Sequence, residues 1–338
     1  LVNQAGNEIL TPPTCPRNNG PQAPAEMNST SARCGMKNSE LLLNHVSVEL
    51  GVPHTLIRAH DREFRVTTQC RVLGVSRSGY YGWRTRPAST RTQANARLLQ
   101  RIRQIHVNSR ENYGAVKTWE ALTEAGVSCG LHRVARLRQA HGIEAKRMRR
   151  FHCVYAARQR DATAPNLLNR DFTAPAPDRV WVGDVTFVAT REGWLHLAVL
   201  IDLYSRRVVG WAMGRQQNRQ LVIDALTMAI EHRRPKPGLI HHTDQGILYA
   251  TSAYRAILTA QHMIPSMSRK GDCYDNAVAE SFFSNLKNEL TWHHDFRSRD
   301  ETRAAIFDYI EVFYNRQRLH QSLDYMSPMR YEEQRVVP

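Results

Sequence analysis

The chain has 338 residues, and its 46 Lys and Arg against 31 Asp and Glu give a formal net charge of +15 at pH 7. This excess indicates a polyanionic partner, because neutralising phosphates requires it, whereas an ordinary solvated surface does not. The chain contains no apolar run of about 20 residues, which excludes a typical membrane-spanning helix, and no secretory signal pattern, so we expect a soluble, intracellular protein.

The cysteines do not form a metal-binding pattern. The six are scattered without a CxxC pair, and the nearby residues His132, His141 and His152 fit no zinc-binding spacing. We therefore predict free thiols and no structural zinc.

The first 90 residues divide into two parts. Residues 1–38 are rich in Asn, Pro, Ser and Thr, which predicts a disordered leader or translated sequence upstream of the natural start. Residues 39–90 predict a small helical segment, in which two short helices flank a Gly turn. We expect its aromatic residues Tyr80, Tyr81 and Trp83 to form the core of this segment.

Residues 91–155 predict three further helices. Apolar residues recur at helical spacing in three segments: Leu98, Ile102 and Ile105; Ala115, Trp119 and Leu122; and Leu131, Val134 and Leu137. Gly126 is expected to end the second helix, and Ser128 to cap the third.

The third of these helices is strongly basic, with Arg133, Arg136 and Arg138 on its other faces. Three short helices with a basic last helix resemble a helix-turn-helix, in which that helix enters the major groove of DNA. We therefore predict that the three arginines contact DNA. A basic helical hairpin that packs on another part of the chain is the alternative.

A linker and an α/β domain are expected next. Residues 156–178 contain three prolines, which disfavour both helix and strand, so we interpret them as a linker between separate units. Residues 179–300 predict a mixed sheet with helices on both faces: a three-strand meander, a helix, a short strand and two more helices. For residues 301–338 we predict a C-terminal helix followed by a segment that closes the domain.

Three acids of the α/β domain form a candidate metal site. Asp184 lies in the middle of a predicted strand, where a carboxylate is costly to bury without a positive partner. Asp244 follows a strand expected to lie parallel to the first, and Glu280 is early in a helix. Such oxygen ligands favour Mg²⁺ or Mn²⁺. Taken singly, the acids also fit a strand-edge cap, a turn residue and a solvated helix position.

The sequence around these acids resembles a known family. Fifty-nine residues separate Asp184 from Asp244, and thirty-five separate Asp244 from Glu280. The segments VWVGDVTFV, LIDLYSRRVVGWAM, HHTDQG, SMSRKGDCYDNAVAESFFSNLK and FYNRQRLHQSLDYMSP resemble the IS-three family of bacterial insertion-sequence transposases, in its second-frame product. The resemblance covers about residues 64–333.

The resemblance implies a DDE integrase core of the retroviral-integrase superfamily, with a ribonuclease-H-like α/β fold. It implies that Asp184, Asp244 and Glu280 are catalytic and hold Mg²⁺ (or Mn²⁺), and that Lys287 holds a DNA phosphate. The implied reaction is cleavage at transposon ends followed by strand transfer. The implied partners are double-stranded DNA, a first-frame transposase product and further copies of the chain, in the bacterial cytoplasm at the nucleoid.

Several other polar residues have predicted roles in the α/β domain. Arg269 and Lys270 are expected to meet DNA from an active-site loop, whereas Asp272 and Asp275 are expected to order that loop or cap the next helix. Asp202 is interpreted as a turn or supporting acid, and one of the two histidines before the second catalytic aspartate is expected to pack inside.

Two other functions compete with the transposase interpretation. A catalytically dead core with helix-turn-helix segments would act as a regulator, but it would have no reason to keep all three acids. A nuclease for RNA–DNA hybrids could share the fold, but it would have little use for the basic helical region.

Overall fold

The computed structural model describes residues 52–146, 164–269 and 276–335. The chain divides between Pro87 and Ala88 into two compact units. The predictions made for residues 1–38, and those for Lys270, Asp272 and Asp275, fall outside the described residues.

The described part of the first unit, residues 52–87, contains three short helices, α1 (Val52–Ala59), α2 (Val66–Val72) and α3 (Arg77–Thr85). Ile57, Cys70 and Tyr80 form its buried centre. Ser76 begins α3, because its side chain accepts a hydrogen bond of 3.0 Å from the backbone N–H of Gly79. The core role predicted for Tyr81 is wrong, since this residue is 44% exposed.

The second unit begins with α4 (Thr90–Asn108), α5 (Ala115–Glu124) and α6 (Leu131–Ala140). The predicted apolar faces meet in a cluster that includes Ile102, Leu122 and Val134, each fully buried. Gly126 ends the turn after α5 with φ of +73°, a conformation that suits glycine. The cap prediction for Ser128 is wrong, because α6 begins after Gly130 without a side-chain cap.

Tyr113 joins these helices to the rest of the second unit. Its ring is buried in the main apolar core, and its hydroxyl donates to the carbonyl of Gln317 (3.1 Å) and accepts from the N–H of Leu319 (2.9 Å). Residues 88–338 accordingly form one compact unit. The helical region is thus in direct contact with the closing segment, while the expected division into domains and its bounds stay a prediction.

The centre of the second unit is a five-stranded mixed sheet. Its strands are β1 (Val180–Thr190), β2 (Gly193–Asp202), β3 (Val208–Gly214), β4 (Ile240–Thr243) and β5 (Ile264–Met267), in the order β3-β2-β1-β4-β5. The first three are antiparallel, whereas β4 is parallel to β1 and β5 is parallel to β4. The meander and the mixed sheet are as predicted. The sequence analysis did not predict β5, which contains Pro265; a proline is tolerated there because β5 is an edge strand.

Helices cover both faces of the sheet. They are α7 (Arg219–Arg233), α8 (Ser252–Ala260), α9 (Ala277–Glu289), α10 (Arg299–Phe307) and α11 (Pro328–Arg335). Alternation along β1 separates two cores: Trp181 packs on the side of α7 and α8, and Val182 packs on the side of α9 and α10. In the ranges that the structure describes, no helix is both long and apolar enough to cross a membrane.

Side chains of the closing segment are hydrogen-bonded to β3 and to the residues around it. Asn315, almost fully buried, accepts from the N–H of Val208 and donates to its carbonyl, both at 3.0 Å. On α11, Glu332 accepts hydrogen bonds from Ser205, Arg207 and Arg233. These contacts hold the end of the described chain against β3 and α7.

We expect Gly210→Ala to destabilise the second unit by about 1–3 kcal/mol, the usual cost of overpacking a core. A Cβ atom at this position would lie 2.3 Å from the carbonyl oxygen of Ala225, so α7 would have to move away from β3. Urea unfolding measures the change. Gly130→Ala, where a Cβ would meet nothing within 4 Å, is the control; equal effects of the two substitutions would contradict the close approach of α7.

Candidate active site

Asp184 and Asp244 lie at equivalent positions of two neighbouring parallel strands. The register of β1 and β4 pairs Gly183 with Thr243. Asp184 directly follows Gly183, and Asp244 directly follows Thr243. Parallel strands are about 4.8 Å apart, so the two backbones are close at this point. A Cβ on Gly183 would lie against the side chains of Thr243 and His241, so these three positions face the same side of the sheet. Because successive side chains of a strand point to opposite faces, Asp184 and Asp244 point to the other side, towards α9.

Both carboxylates bind a proton more tightly than a free aspartate does. Burial and then the charge of Asp244 raise the pKa of Asp184 to about 8, and burial raises the pKa of Asp244. Each accepts one backbone N–H, Asp184 from Val185 at 2.7 Å and Asp244 from Gly246 at 3.0 Å. These bonds fix the side chains but do not supply the positive charge that a pair of partly buried anions requires. The pair therefore suits a divalent cation with oxygen ligands.

Glu280 lies in the first turn of α9 and lines the same groove as Asp184. Desolvation raises the pKa of its carboxyl, and its charge contributes to the raised pKa of Asp184. Within residues 52–146, 164–269 and 276–335, no group of three His, Cys, Asp or Glu is close enough to hold a metal ion. The structure thus brings the aspartates together, and Glu280 faces them from α9 without completing a three-ligand cluster.

Lys287 lies two turns after Glu280 on the same side of α9. Its ammonium group is 5.7 Å from the centre of the Phe187 ring, and its charge lowers the pKa of Asp184. It lines the groove together with Glu280, which is the arrangement expected from the seven-residue spacing.

The predicted DNA-binding arginines of α6 have three different environments. Arg136 is exposed, and Arg133 is half-buried with its Nε donating to Asn95 (2.8 Å). Arg138 is only 4% exposed, and its guanidinium donates to the Thr118 hydroxyl (3.0 Å) and the Tyr113 carbonyl (2.8 Å). The burial of Arg138 and these two hydrogen bonds argue against its predicted DNA contact.

The remaining candidates have mainly structural surroundings. Asp202, fully buried, accepts from two N–H groups of the turn after β2 and from the N–H of Asp178 before β1, and burial raises its pKa to about 6. His241 is hydrogen-bonded to the Tyr254 hydroxyl at 2.6 Å, and burial lowers the pKa of this histidine to about 3. His242 is buried beside two serines, so both histidines pack inside. Arg269 is exposed after β5.

Sequence reasoning missed Tyr249 and Gln217, which line a cavity of about 360 Å³ together with Asp184 and Asp244. Tyr249 is buried, and burial with the charges of the two aspartates raises the pKa of its hydroxyl well above the usual range. The only signal was its position five residues after Asp244 in DQGILY, which carries no periodic pattern.

Three segments match described protein families. Residues 174–273 and 280–336 match families described as "Integrase core domain", and residues 93–151 match one described as "HTH-like domain". The two integrase segments contain the three candidate acids, and the HTH-like segment contains most of α4 and all of α5 and α6.

Full-length relatives are also similar to the chain. An insertion element IS600 uncharacterized 31 kDa protein of Shigella sonnei is 45% identical over 264 residues, which is 78% of this chain and 97% of the relative. Transposase InsF for insertion sequence IS3A of Escherichia coli (strain K12) is 40% identical over 287 residues, which is 84% of this chain and 99% of the relative. The chain belongs to the IS3 family of insertion-sequence transposases. The predicted family, the mixed α/β fold, the integrase-type enzyme class and the transposition function are thereby confirmed.

Solved integrases resemble the transposase more remotely. The intasome of simian T-cell lymphotropic virus in complex with PP2A regulatory subunit B56 gamma shows 16% identity and a TM-score of 0.42, covering 70% of this chain and 76% of that chain. The catalytic core domain of HTLV-2 integrase in complex with magnesium shows 17% identity and a TM-score of 0.37, covering 47% and 99%. These scores are too low to support an argument about the site.

We expect Asp184→Asn to stabilise the metal-free transposase at pH 8, and to do so more than at pH 5. A pKa raised from 3.8 to about 8 means that the folded state binds more protons than the unfolded state in this window, so the free energy of unfolding falls as pH rises through it. Asparagine does not titrate, so the variant does not lose this part of the free energy of unfolding as pH rises. Urea unfolding in EDTA at both pH values measures it.

Asp224→Asn is the matched control, because this aspartate is exposed on α7. A stabilisation by Asp184→Asn that does not grow with pH would contradict the raised pKa.

Proposed function

We propose that the transposase cleaves DNA at transposon ends and joins the resulting 3′-hydroxyl to another phosphodiester, with Asp184, Asp244 and Glu280 holding Mg²⁺ or Mn²⁺. The observation that carries this proposal is the pairing of two partly buried aspartates, one on β1 and one directly after the parallel strand β4, each raised in pKa, on the side of the glutamate of α9. An isolated pair of this kind destabilises the fold, and a structural role would not require it.

The donor set fits divalent ions that prefer oxygen ligands. Bound at such carboxylates, these ions supply charge stabilisation for an in-line displacement at phosphorus. The protein's own part begins with deprotonation, since Asp184 must release its proton to become a ligand at neutral pH. The backbone bonds from Val185 and Gly246 then hold the two aspartates in place.

Lys287 is proposed to position the DNA. As a cation on the Glu280 side of α9, it can attract a phosphate to the groove without acting as a metal ligand. Positioning of this kind lowers the barrier because the reacting groups are held in register.

The duplex is proposed to bind at α6 through Arg136 and, after release from Asn95, Arg133. Exposure of Arg136 and the net charge of +15 support this assignment, and Arg269 and Lys270 stay proposed DNA contacts. We also propose that the transposase acts as a homo-oligomer on DNA with a first-frame product, at the nucleoid in the bacterial cytoplasm.

We expect Glu280→Gln to abolish cleavage and joining of a labelled transposon-end duplex in magnesium, while DNA affinity changes less than two-fold. The substitution keeps the size of the side chain but removes the ligand charge, and the proposed duplex contacts are made by arginines elsewhere. Glu231→Gln, an exposed glutamate on α7, is the control and should keep wild-type activity. Full activity of Glu280→Gln would refute the three-carboxylate mechanism; an inert wild type with its partner present would favour a regulator.

We expect Arg136→Ala and Arg138→Ala to separate DNA binding from stability. Arg136→Ala should weaken duplex binding and reduce the slope of log affinity against log salt by about one, because one phosphate contact is lost. Arg138→Ala should instead lower the free energy of unfolding by about 1–3 kcal/mol, since it leaves buried partners unsatisfied. Salt titrations and urea unfolding measure the two effects. An unchanged salt slope for Arg136→Ala would contradict the proposed contact of α6 with DNA.

A further inference from the structure

A groove of about 860 Å³ runs from Asp184 along one edge of β1. All eight consecutive residues 184–191 line it, and since successive side chains point to opposite faces, the groove must follow the edge of the strand. β4 pairs with β1 only from Val180 to Gly183. The groove therefore occupies the place that a longer β4 would fill.

The opposite wall is a single stripe of α9. Glu280, Phe283, Ser284 and Lys287 line the groove at the spacing of one helix face. At 1.5 Å per residue, Glu280 and Lys287 are about 10 Å apart along the helix axis. The carboxylates at one end of the groove and the Lys287 cation are therefore close enough for one short stretch of a DNA strand to contact both.

Two tryptophans line the groove beyond the cation. Trp194, at the start of β2, is 52% exposed, and its ring meets the edge of Phe187 at 4.8 Å between centroids. Trp292 follows α9 in a short 3-10 turn (Thr291–His293) and is 37% exposed. Large exposed aromatic surfaces in a charged groove indicate a planar ligand, because they gain little from water.

We propose that this groove binds an unpaired stretch of the DNA strand next to the reacting phosphate, with a nucleobase stacked on Trp292 or Trp194 and a phosphate at Lys287. The placement beside the reacting phosphate rests on the proposed function, and it specifies that function by naming single-stranded DNA as the ligand of the groove.

The order of groups along the groove favours an unpaired strand over a duplex. In a duplex both faces of each base are covered by neighbouring bases, so an aromatic side chain can stack only on a base that has left its stack. Base–aromatic stacking beside a cation is the usual way in which proteins hold single strands, and it works for any base. Along the groove, the carboxylates come first, then the Lys287 cation and then the tryptophans. This order matches a reacting phosphate, the following phosphate and an exposed base.

Photo-crosslinking tests the contact without requiring catalysis. The Asp184→Asn transposase is bound to a duplex of the element's terminal repeat that carries 5-iodouracil near the cleavage position, on one strand or the other. Irradiation and mass spectrometry should locate a crosslink at Trp292 or Trp194 for one of the two strands. Crosslinks that map only to other parts of the protein, for both strands, would overturn the proposal.

Affinity for a single-stranded dT oligonucleotide provides the second measurement. We expect Trp292→Ala combined with Trp194→Ala to weaken this binding about ten-fold or more, and Trp292→Tyr with Trp194→Tyr to restore most of it, because tyrosine can also stack. Phe307→Ala, 50% exposed on α10 and outside the groove, should bind as the wild type does. Circular dichroism establishes that each variant is folded; if the double alanine variant is not, the crosslink and the tyrosine variant still decide.

The outcomes separate this inference from the proposed function. Wild-type dT binding by a folded double alanine variant would refute the stacking groove, even if the transposase cleaves DNA normally. Loss of dT binding in that variant, together with a tryptophan crosslink, would support the groove even if the wild type proved unable to cut transposon ends.

Discussion

The parallel pairing of β4 with β1 is the constraint on which the candidate site depends. It brings together two aspartates that are 60 positions apart in the chain and turns both towards α9. The fold stabilises this costly arrangement on both sides, with Trp181 in one core and Val182 in the other. Because β4 is only four residues long, the pairing ends at Gly183, and β1 continues as the wall of an open groove. One short strand therefore creates both the carboxylate pair and the access to it.

The orientation of α9 depends on the far end of the chain. Glu289, at the carboxyl end of this helix, accepts hydrogen bonds from Tyr309 and from Arg318, which is 6% exposed and reaches both carboxylate oxygens. The neighbours of Arg318 bond to the Tyr113 hydroxyl, so the helical region, the closing segment and the helix with Glu280 are in direct contact. Removing one partner of a buried ion pair leaves the other charge uncompensated, so this connection is costly to break.

Much of the site was predictable from local patterns, and the failures have a common cause. An Asp inside a β-branched run and an Asp directly after a short strand are visible in the sequence, and so is the seven-residue step from Glu280 to Lys287. Periodicity shows that Arg138 is on a helix but not which face of that helix is covered. Its burial depends on Tyr113 and Thr118, whose positions follow from the packing of α5 against α6. Tyr249 was missed for the same reason.

The sequence by itself determined the helices of the basic region, the three-strand meander and the family, and it singled out the three candidate acids, because periodicity and motif spacing are local properties of the chain. Only the tertiary structure decided that residues 88–338 form one unit, that Pro265 lies in an edge strand, and that Arg138 points inward. It also decided that Trp194 and Trp292, 98 positions apart, line one groove with Asp184. These properties depend on contacts between distant segments, and the free energy of such contacts is set by which surfaces pack together rather than by the residues next to them in the chain.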